Sequence, residues 1–384
     1  MIRVLTSSPE FQRVTQTFAE HFNRDDEFQD VGASFSVYQH GVKRLELIGG
    51  LQQDNADIPW QPQTLTNVWS TSKGIIAIAI AQLVDSGELN YQLPVRHWWP
   101  EFAANGKAEI TLAQLLSHQA GLNGFKEPTS PDDLYDWSLI TQRLAQQAPL
   151  WSPGSTASYH GMTFGWLAGE IIRRSTGLMP ADYIRTQIAE PLAADLHIGL
   201  PVPRKPNVAL IIPPEPDKQP IYLNDIARHT IQNPVPDALL ANCDAWQQAQ
   251  IPAVNIHATA DALAKVYAAT ISNDRKKALF RKSTLQQMTT AYNAGKDEML
   301  GDRYWGAGVA LNSNGLYGPN RGAFGHSGWG GSFACADPQS GISMAYITRR
   351  MGSALNGDPR AQNLIKAVYE DIMPGFNPSH SPVK

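Results

Sequence analysis

The sequence predicts an α+β fold: an antiparallel sheet built from both ends of the chain and flanked by helices, with an all-helical domain inserted between. Three observations predict it. Strand-forming segments lie at the two ends, helical patterns with stop signals fill the middle, and sequential hairpins imply antiparallel pairing. The expected division is 1–66 and 291–384 for the sheet domain, and 67–290 for the mainly helical domain.

At 384 residues the chain can bury a large core. Hydrophobic residues make up 42% and charged ones 17%, the balance of a globular protein rather than a disordered one. Net charge is -4 with no long basic run, which argues against nucleic acid and anionic membranes as partners. No stretch is long enough to cross a bilayer, and MIRVLTSSPEFQRV lacks the apolar core of a signal peptide. The two cysteines, Cys243 and Cys335, build no disulfide framework. Cytoplasmic residence with reduced thiols is the expectation.

The elements follow in order. Pro9 to Phe22 places Phe11, Val14, Phe18 and Phe22 at helical spacing. Val31 to Tyr38 and Val42 to Ile48 read as strands joined at His40-Gly41, a hairpin signal, and polar residues from Gln52 to Gln63 lead on. Asn67 to Gly87 is the central helix, apolar from Gly74 to Val84 except for Gln82, with Thr66 or Asn67 as cap and Gly87 as stop. Helices are also expected over Thr111 to His118, with Thr111 as a candidate cap, Asp132 to Gln147, Gly161 to Thr176, with Gly177 after its end, and Asp182 to Ile188. From Gly199 to Pro252 prolines crowd, which predicts a long irregular excursion, read as a wall or lid over a pocket or as a decorative loop. Helices return at Thr259 to Ser272 and Ser283 to Thr290. Strands follow at Trp305 to Leu311, Arg321 to His326, Gly331 to Asp337 and Gly341 to Thr348, with a closing helix at Arg360 to Met373.

Three clusters carry chemistry. In the first, Ser70 and Lys73 are three residues apart at the mouth of the apolar helix, so they share a face. A serine hydroxyl becomes a nucleophile when a neighbouring base takes its proton, and the helix N-terminus favours the developing alkoxide. The competing reading has Lys73 snorkelling to the surface and Ser70 as a first-turn hydroxyl. The spacing is weak alone, since Ser381-Pro382-Val383-Lys384 also fits it in a Pro-containing tail. In the second cluster, Tyr159 follows a Ser152-Pro153-Gly154 turn and precedes a helix. It reads as a phenol facing a cleft or as a half-buried tyrosine with a satisfied hydroxyl. The third is Gly325-His326-Ser327-Gly328-Trp329-Gly330-Gly331, between two strands. Glycines that dense let backbone N–H groups approach a ligand and stabilise an oxyanion, or they make an ordinary hairpin with His326 at the surface. No Ser lies in a G-x-S-x-G elbow, and the ten His lack metal spacing, so no metal or organic cofactor is expected. His118, His160 and His257 read as structural.

Together and in this order, the clusters resemble the serine β-lactamase and penicillin-binding-protein superfamily, whose pattern is S-x-x-K, a polar triplet, then K-T-G. The likeness is nearest to class C β-lactamases and family VIII carboxylesterases. It extends through Leu112–Leu122 (LAQLLSHQAGL), Trp151–Gly177 and Ala189–Leu192 (AEPL), and covers Val31 to Thr348 except the Pro-rich part. The resemblance implies a β-lactamase-like fold and Ser70 as the nucleophile that forms an acyl-enzyme. It implies Lys73 and Tyr159 as the proton-handling pair, and the main-chain N–H groups of Ser70 and Trp329 as an oxyanion hole. His326-Ser327-Gly328 stands where the family has K-T-G. The charge of Lys73 is expected to favour phenolate character at Tyr159, the two titrating together.

Two departures bear on substrate. His326 replaces the family's cation, and Tyr159-His160-Gly161 has glycine where the lactamases carry Asn. Both weaken lactam recognition, while Trp329 adds apolar surface suited to an acyl or alkyl chain. The expectation is a serine carboxylesterase acting on a small-molecule ester. The rivals are a β-lactamase or D-alanyl peptidase, an acyltransferase of the same fold, and a non-catalytic scaffold, which intact Ser70, Lys73 and Tyr159 argue against.

Overall fold

The computed structural model describes residues 2–53, 57–215, 223–354 and 357–373. The Ser381–Lys384 match to the nucleophile pattern lies outside them. Eight strands form one antiparallel sheet: β1 (Ile2–Ser7), β2 (Gly32–Gln39), β3 (Val42–Gln53), β4 (Ile58–Pro59), β5 (Ala310–Leu311), β6 (Phe324–Ser327), β7 (Phe333–Asp337) and β8 (Ile342–Thr348). Their order is β1-β3-β2-β8-β7-β6-β5, with β4 paired to β3. The two ends of the chain therefore meet at the β2–β8 pair, where Met344 faces Val37 and Tyr346 faces Phe35.

Side-chain alternation sorts each strand between two cores. Ile342, Met344 and Tyr346 of β8 point to the face covered by α1 (Gln12–His21) and the closing helix Pro359–Ile372, through Val14, Phe18, Leu364 and Val368. Ala345 and Ile347 point the other way, into the larger core that holds the central helix α2 (Ser72–Ser86). The helix Ala260–Thr270 lies within the middle of the chain yet packs on this second face, where Ser343 Oγ donates to Ala264 O (2.8 Å). Beyond it stand the remaining helices, among them Trp137–Gln146 and Thr163–Thr176.

Local signals explain most boundaries. His40 and Gly41 both have positive φ, 49° and 77°, as a two-residue hairpin requires. Gly87 and Gly177 close their helices in the left-handed conformation. Thr111 caps Leu112–Leu116 in a capping box with Gln114.

Other expectations are corrected. Thr66 and Asn67 do not cap α2. They pair with Ala258 and His257 in a small second sheet, and a 3-10 turn, Trp69–Thr71, intervenes before the helix. The Pro-rich excursion is only partly irregular: its non-proline stretches form helices at Asp225–Gln232 and Asp244–Gln248. The expected strand from Trp305 shrinks to Ala310–Leu311, and β1 was not foreseen.

Candidate active site

The site forms where the central helix meets the sheet. Val68 N donates to Ile256 O (2.9 Å), and Asn67 Nδ2 donates to Val254 O (3.1 Å), which fixes the approach to the turn bearing Ser70. Trp69 then adopts φ 48°, a left-handed conformation that a bulky residue keeps only when its surroundings enforce it. Its indole is clasped by Trp329 and Trp246, with ring centres 5.1 and 5.7 Å away. Ser70 follows in the 3-10 turn, half-buried, at the edge of a cavity of about 420 Å³.

Lys73 lies directly beneath it. The amine is fully buried and donates to Ser70 Oγ (3.0 Å) and Ala253 O (3.2 Å). Burial drives Lys73 well below the usual lysine range, toward the neutral amine that can accept a proton. The snorkelling alternative is excluded by this placement.

Tyr159 comes to the same point. Lys73 Nζ is 4.8 Å from the centre of its ring, and the ring stacks on Trp305 at 5.7 Å and 14°. Its backbone is held at both ends: Tyr159 N donates to Asp297 Oδ1 (3.2 Å), and Thr230 Oγ1 donates to Tyr159 O (2.9 Å). Burial raises the Tyr159 phenol above its ordinary range, and an interaction with the Ser70 side chain opposes the rise only in part. The expected phenolate character is therefore corrected. Lys73 is pushed down and Tyr159 up, so both move toward their uncharged forms, with desolvation the largest cause in each.

The third cluster closes the site. Gly328 packs so tightly against the turn bearing Ser70 that an added Cβ would lie 2.4 Å from Val68 O and 2.2 Å from Ser332 Oγ. Ser332 Oγ donates to Val68 O (2.8 Å), which leaves Thr71 Oγ1 to donate to Ser332 Oγ (3.1 Å). The turn bearing Trp329 is thus locked to the turn bearing Ser70. His326, Ser327, Gly328 and Trp329 all border the cavity with Ser70 and Tyr159. His326 is buried, and its Nδ1 donates to Ser327 O (2.8 Å). Burial pushes it down to about 3, with the Lys73 amine adding to the effect, so it is a neutral ring. Gly161 also borders the cavity, and a side chain there would meet Thr230 Cγ2 at 2.8 Å.

Sequence reasoning missed the supports. Asp297 is buried and also accepts from Met299 N, Leu300 N and Trp305 Nε1, which organises the loop behind Tyr159. No local pattern marks it. His118, read as structural, packs its ring 5.0 Å from Tyr159 and 4.4 Å from Trp305, and its Nδ1 accepts from His160 N (3.1 Å). The Pro-rich excursion supplies part of the cavity wall, including Pro234, Val235 and Leu240.

A serine hydroxyl on a buried, desolvated amine, with a phenol beside it and a glycine-rich turn against it, defines a serine hydrolase. The chain belongs to the beta-lactamase family, whose model matches residues 22–369. It is 32% identical to the Esterase/beta-lactamase LipL of Mycobacterium tuberculosis, over 91% of this chain and 83% of that one. Among solved structures it is similar to a penicillin-binding protein homolog from Caulobacter crescentus, with TM-score 0.91, 38% identity, and coverage of 97% of this chain and 100% of that one. It is also similar to a family VIII carboxylesterase, with TM-score 0.91, 36% identity and the same coverage.

Proposed function

We propose that the protein is a serine carboxylesterase that works through an acyl-enzyme on Ser70. The observation that carries the reading is the 3.0 Å contact from buried Lys73 Nζ to Ser70 Oγ at the edge of a largely apolar cavity. Lys73, held toward the free amine, takes the Ser70 proton as Oγ adds to the ester carbonyl. The main-chain N–H groups of Ser70 and Trp329 receive the oxyanion. Tyr159, kept as a neutral phenol, gives a proton to the departing alcohol and is restored through Lys73. Water then attacks the acyl-enzyme, with the same pair handling its proton. The unjoined thiols of Cys243 and Cys335 fit the expected cytoplasmic setting, which fractionation would check.

The test is turnover of p-nitrophenyl butyrate with labelling by a fluorophosphonate. Ser70→Ala should abolish both. Tyr159→Phe should lower kcat by at least about two orders of magnitude, the usual scale for a catalytic acid or base. Full activity in Ser70→Ala would sink the reading.

Lactam or D-alanyl amide hydrolysis is the second reading, favoured by the likeness to a penicillin-binding protein homolog. Neutral His326 and the closed space at Gly161 count against it. Nitrocefin hydrolysed as fast as p-nitrophenyl butyrate would reverse the order.

A further inference from the structure

Tyr159 is held at its own N–H by Asp297 and at its own C=O by Thr230, while both of its neighbours in sequence are held by one residue, His118. Ser158 N donates to His118 O (3.1 Å), and His160 N donates to His118 Nδ1 (3.1 Å). His160 completes the frame: its Nδ1 donates to Ser158 O (2.8 Å), and its Nε2 accepts from Leu122 N (3.1 Å). The backbone on either side of the phenol is therefore tied to the turn that follows Leu112–Leu116.

His118 occupies that turn against a backbone preference. Its φ is 65°, the left-handed conformation that glycine ordinarily supplies just after a helix. Strain kept at a non-glycine residue beside reacting groups points to a role for its side chain. The ring is fully buried and T-shaped against both Tyr159 (ring centres 5.0 Å apart, 61°) and Trp305 (4.4 Å, 75°). Because Nδ1 accepts, the one proton of the neutral ring is on Nε2, which has no hydrogen-bond partner among the described residues. Burial holds the ring well below the ordinary histidine range, so Nδ1 remains an acceptor. Nδ1 is thus what this histidine offers here that a phenylalanine does not.

We propose that His118 is a positioning residue of the reaction: by accepting at Nδ1 it fixes the stretch 158–160 and so holds the Tyr159 phenol where it reaches the departing alcohol. The proposal rests on the esterase reading and on Tyr159 as the acid within it. A misplacement of about 1 Å near the chemistry costs on the order of a hundredfold in rate.

Two butyrate esters test it. p-Nitrophenyl butyrate and ethyl butyrate give the same acyl-enzyme and differ in leaving group. p-Nitrophenolate departs as a stable anion, whereas ethoxide needs a proton as it leaves. A misplaced phenol therefore slows the ethyl ester selectively, while general damage to the fold slows both alike. The readout is kcat/KM for the p-nitrophenyl ester over that for the ethyl ester. His118→Phe keeps a ring and loses the acceptor, and should raise this ratio about tenfold or more. His118→Asn tolerates the left-handed backbone and brings an amide oxygen in place of Nδ1, so it should restore most of the wild-type value. Tyr159→Phe should raise the ratio at least as far as His118→Phe, and combining the two should raise it no further. A ratio raised in Tyr159→Phe but unchanged in His118→Phe overturns the proposal alone. So does a ratio in His118→Asn equal to that in His118→Phe. Should His118→Phe not fold, His118→Gly, which suits a φ of 65° and also lacks the acceptor, stands in its place on the same terms. An unchanged ratio in Tyr159→Phe removes the acid role of Tyr159 and this proposal with it. Failure of the wild type on both esters removes the esterase reading as well.

Discussion

At the scale of single residues, Lys73 sets function against stability. Burying an amine disfavours its charged form, and on the proposed mechanism the fold tolerates that to hold a base under Ser70. Lys73→Met should therefore abolish ester turnover yet raise stability by about 1 kcal/mol, read from urea unfolding. Stability that falls with activity would show the amine to be a structural cross-link. The pH profile follows from the same shift. The amine must be unprotonated to act, so kcat/KM should fall as pH drops through the lowered Lys73 value, with an acid limb well below 10.5. Linkage has a matching sign: the unfolded chain binds the proton more readily, so this group's contribution to stability rises with pH between the folded and unfolded values. An acid limb near the ordinary lysine value would contradict the desolvated amine.

At the scale of elements, contact between α2 and its neighbours depends on Gly74. A Cβ there would sit 2.0 Å from Tyr267 Oη, with Cζ at 3.1 Å. Alanine in a helix interior is favoured over glycine by about 1 kcal/mol, so a loss on Gly74→Ala reports the clash. We expect Gly74→Ala to destabilise by about 1–3 kcal/mol and to lower activity through Lys73 next door. Tyr267 Oη is buried without a hydrogen-bond partner among the described residues, so Tyr267→Phe should cost little. In that background Gly74→Ala should cost at least about 1 kcal/mol less. Additive losses in the double-mutant cycle would rule out the contact as the cause.

Elements also decide what could be read in advance. The His40-Gly41 turn, Gly87, Gly177 and the Thr111 cap are written into a few adjacent residues, and each appears where expected. Ser70, Lys73, Tyr159 and the 326–329 turn were legible because their spacing and order are chemical patterns. The left-handed Trp69 was not, since two other tryptophans from distant segments enforce it. Nor was β1, an edge strand with Arg3, Val4 and Leu5 all exposed and so without alternation. Asp297 becomes legible only when the loop it ties is folded. The charge states of Lys73 and Tyr159 depend on burial, which pattern alone does not supply.

At the scale of the molecule, the two ends of the chain are bound by a buried charge network. Arg360, fully buried, donates to Asp358 at 2.7 and 3.0 Å, to Asp30 at 3.3 Å, and to Gly330 O at 2.9 Å, one residue past Trp329. Tyr346 Oη and Thr348 Oγ1 also donate to Asp30. Burial alone would raise Asp30, but His21 at 3.7 Å, the Arg360 guanidinium and the Tyr346 hydroxyl hold its carboxyl below the usual range. Stability from Asp30 is thus present above the ordinary carboxylate value and lost as pH falls through the lower folded value. Arg360→Met strands buried carboxylates and should cost about 3–5 kcal/mol, and it should move acid unfolding to higher pH. An unchanged acid transition would mean that the network is not what joins the ends.

The β2–β8 pairing has a consequence for how the protein is made. A nascent chain on the ribosome exposes the edge of β2 and the apolar helix behind Ser70 long before Ile342–Thr348 emerges to cover them. Until Ile342–Thr348 has been made, β2 has no partner on that edge, and the sheet on which the site is built cannot close.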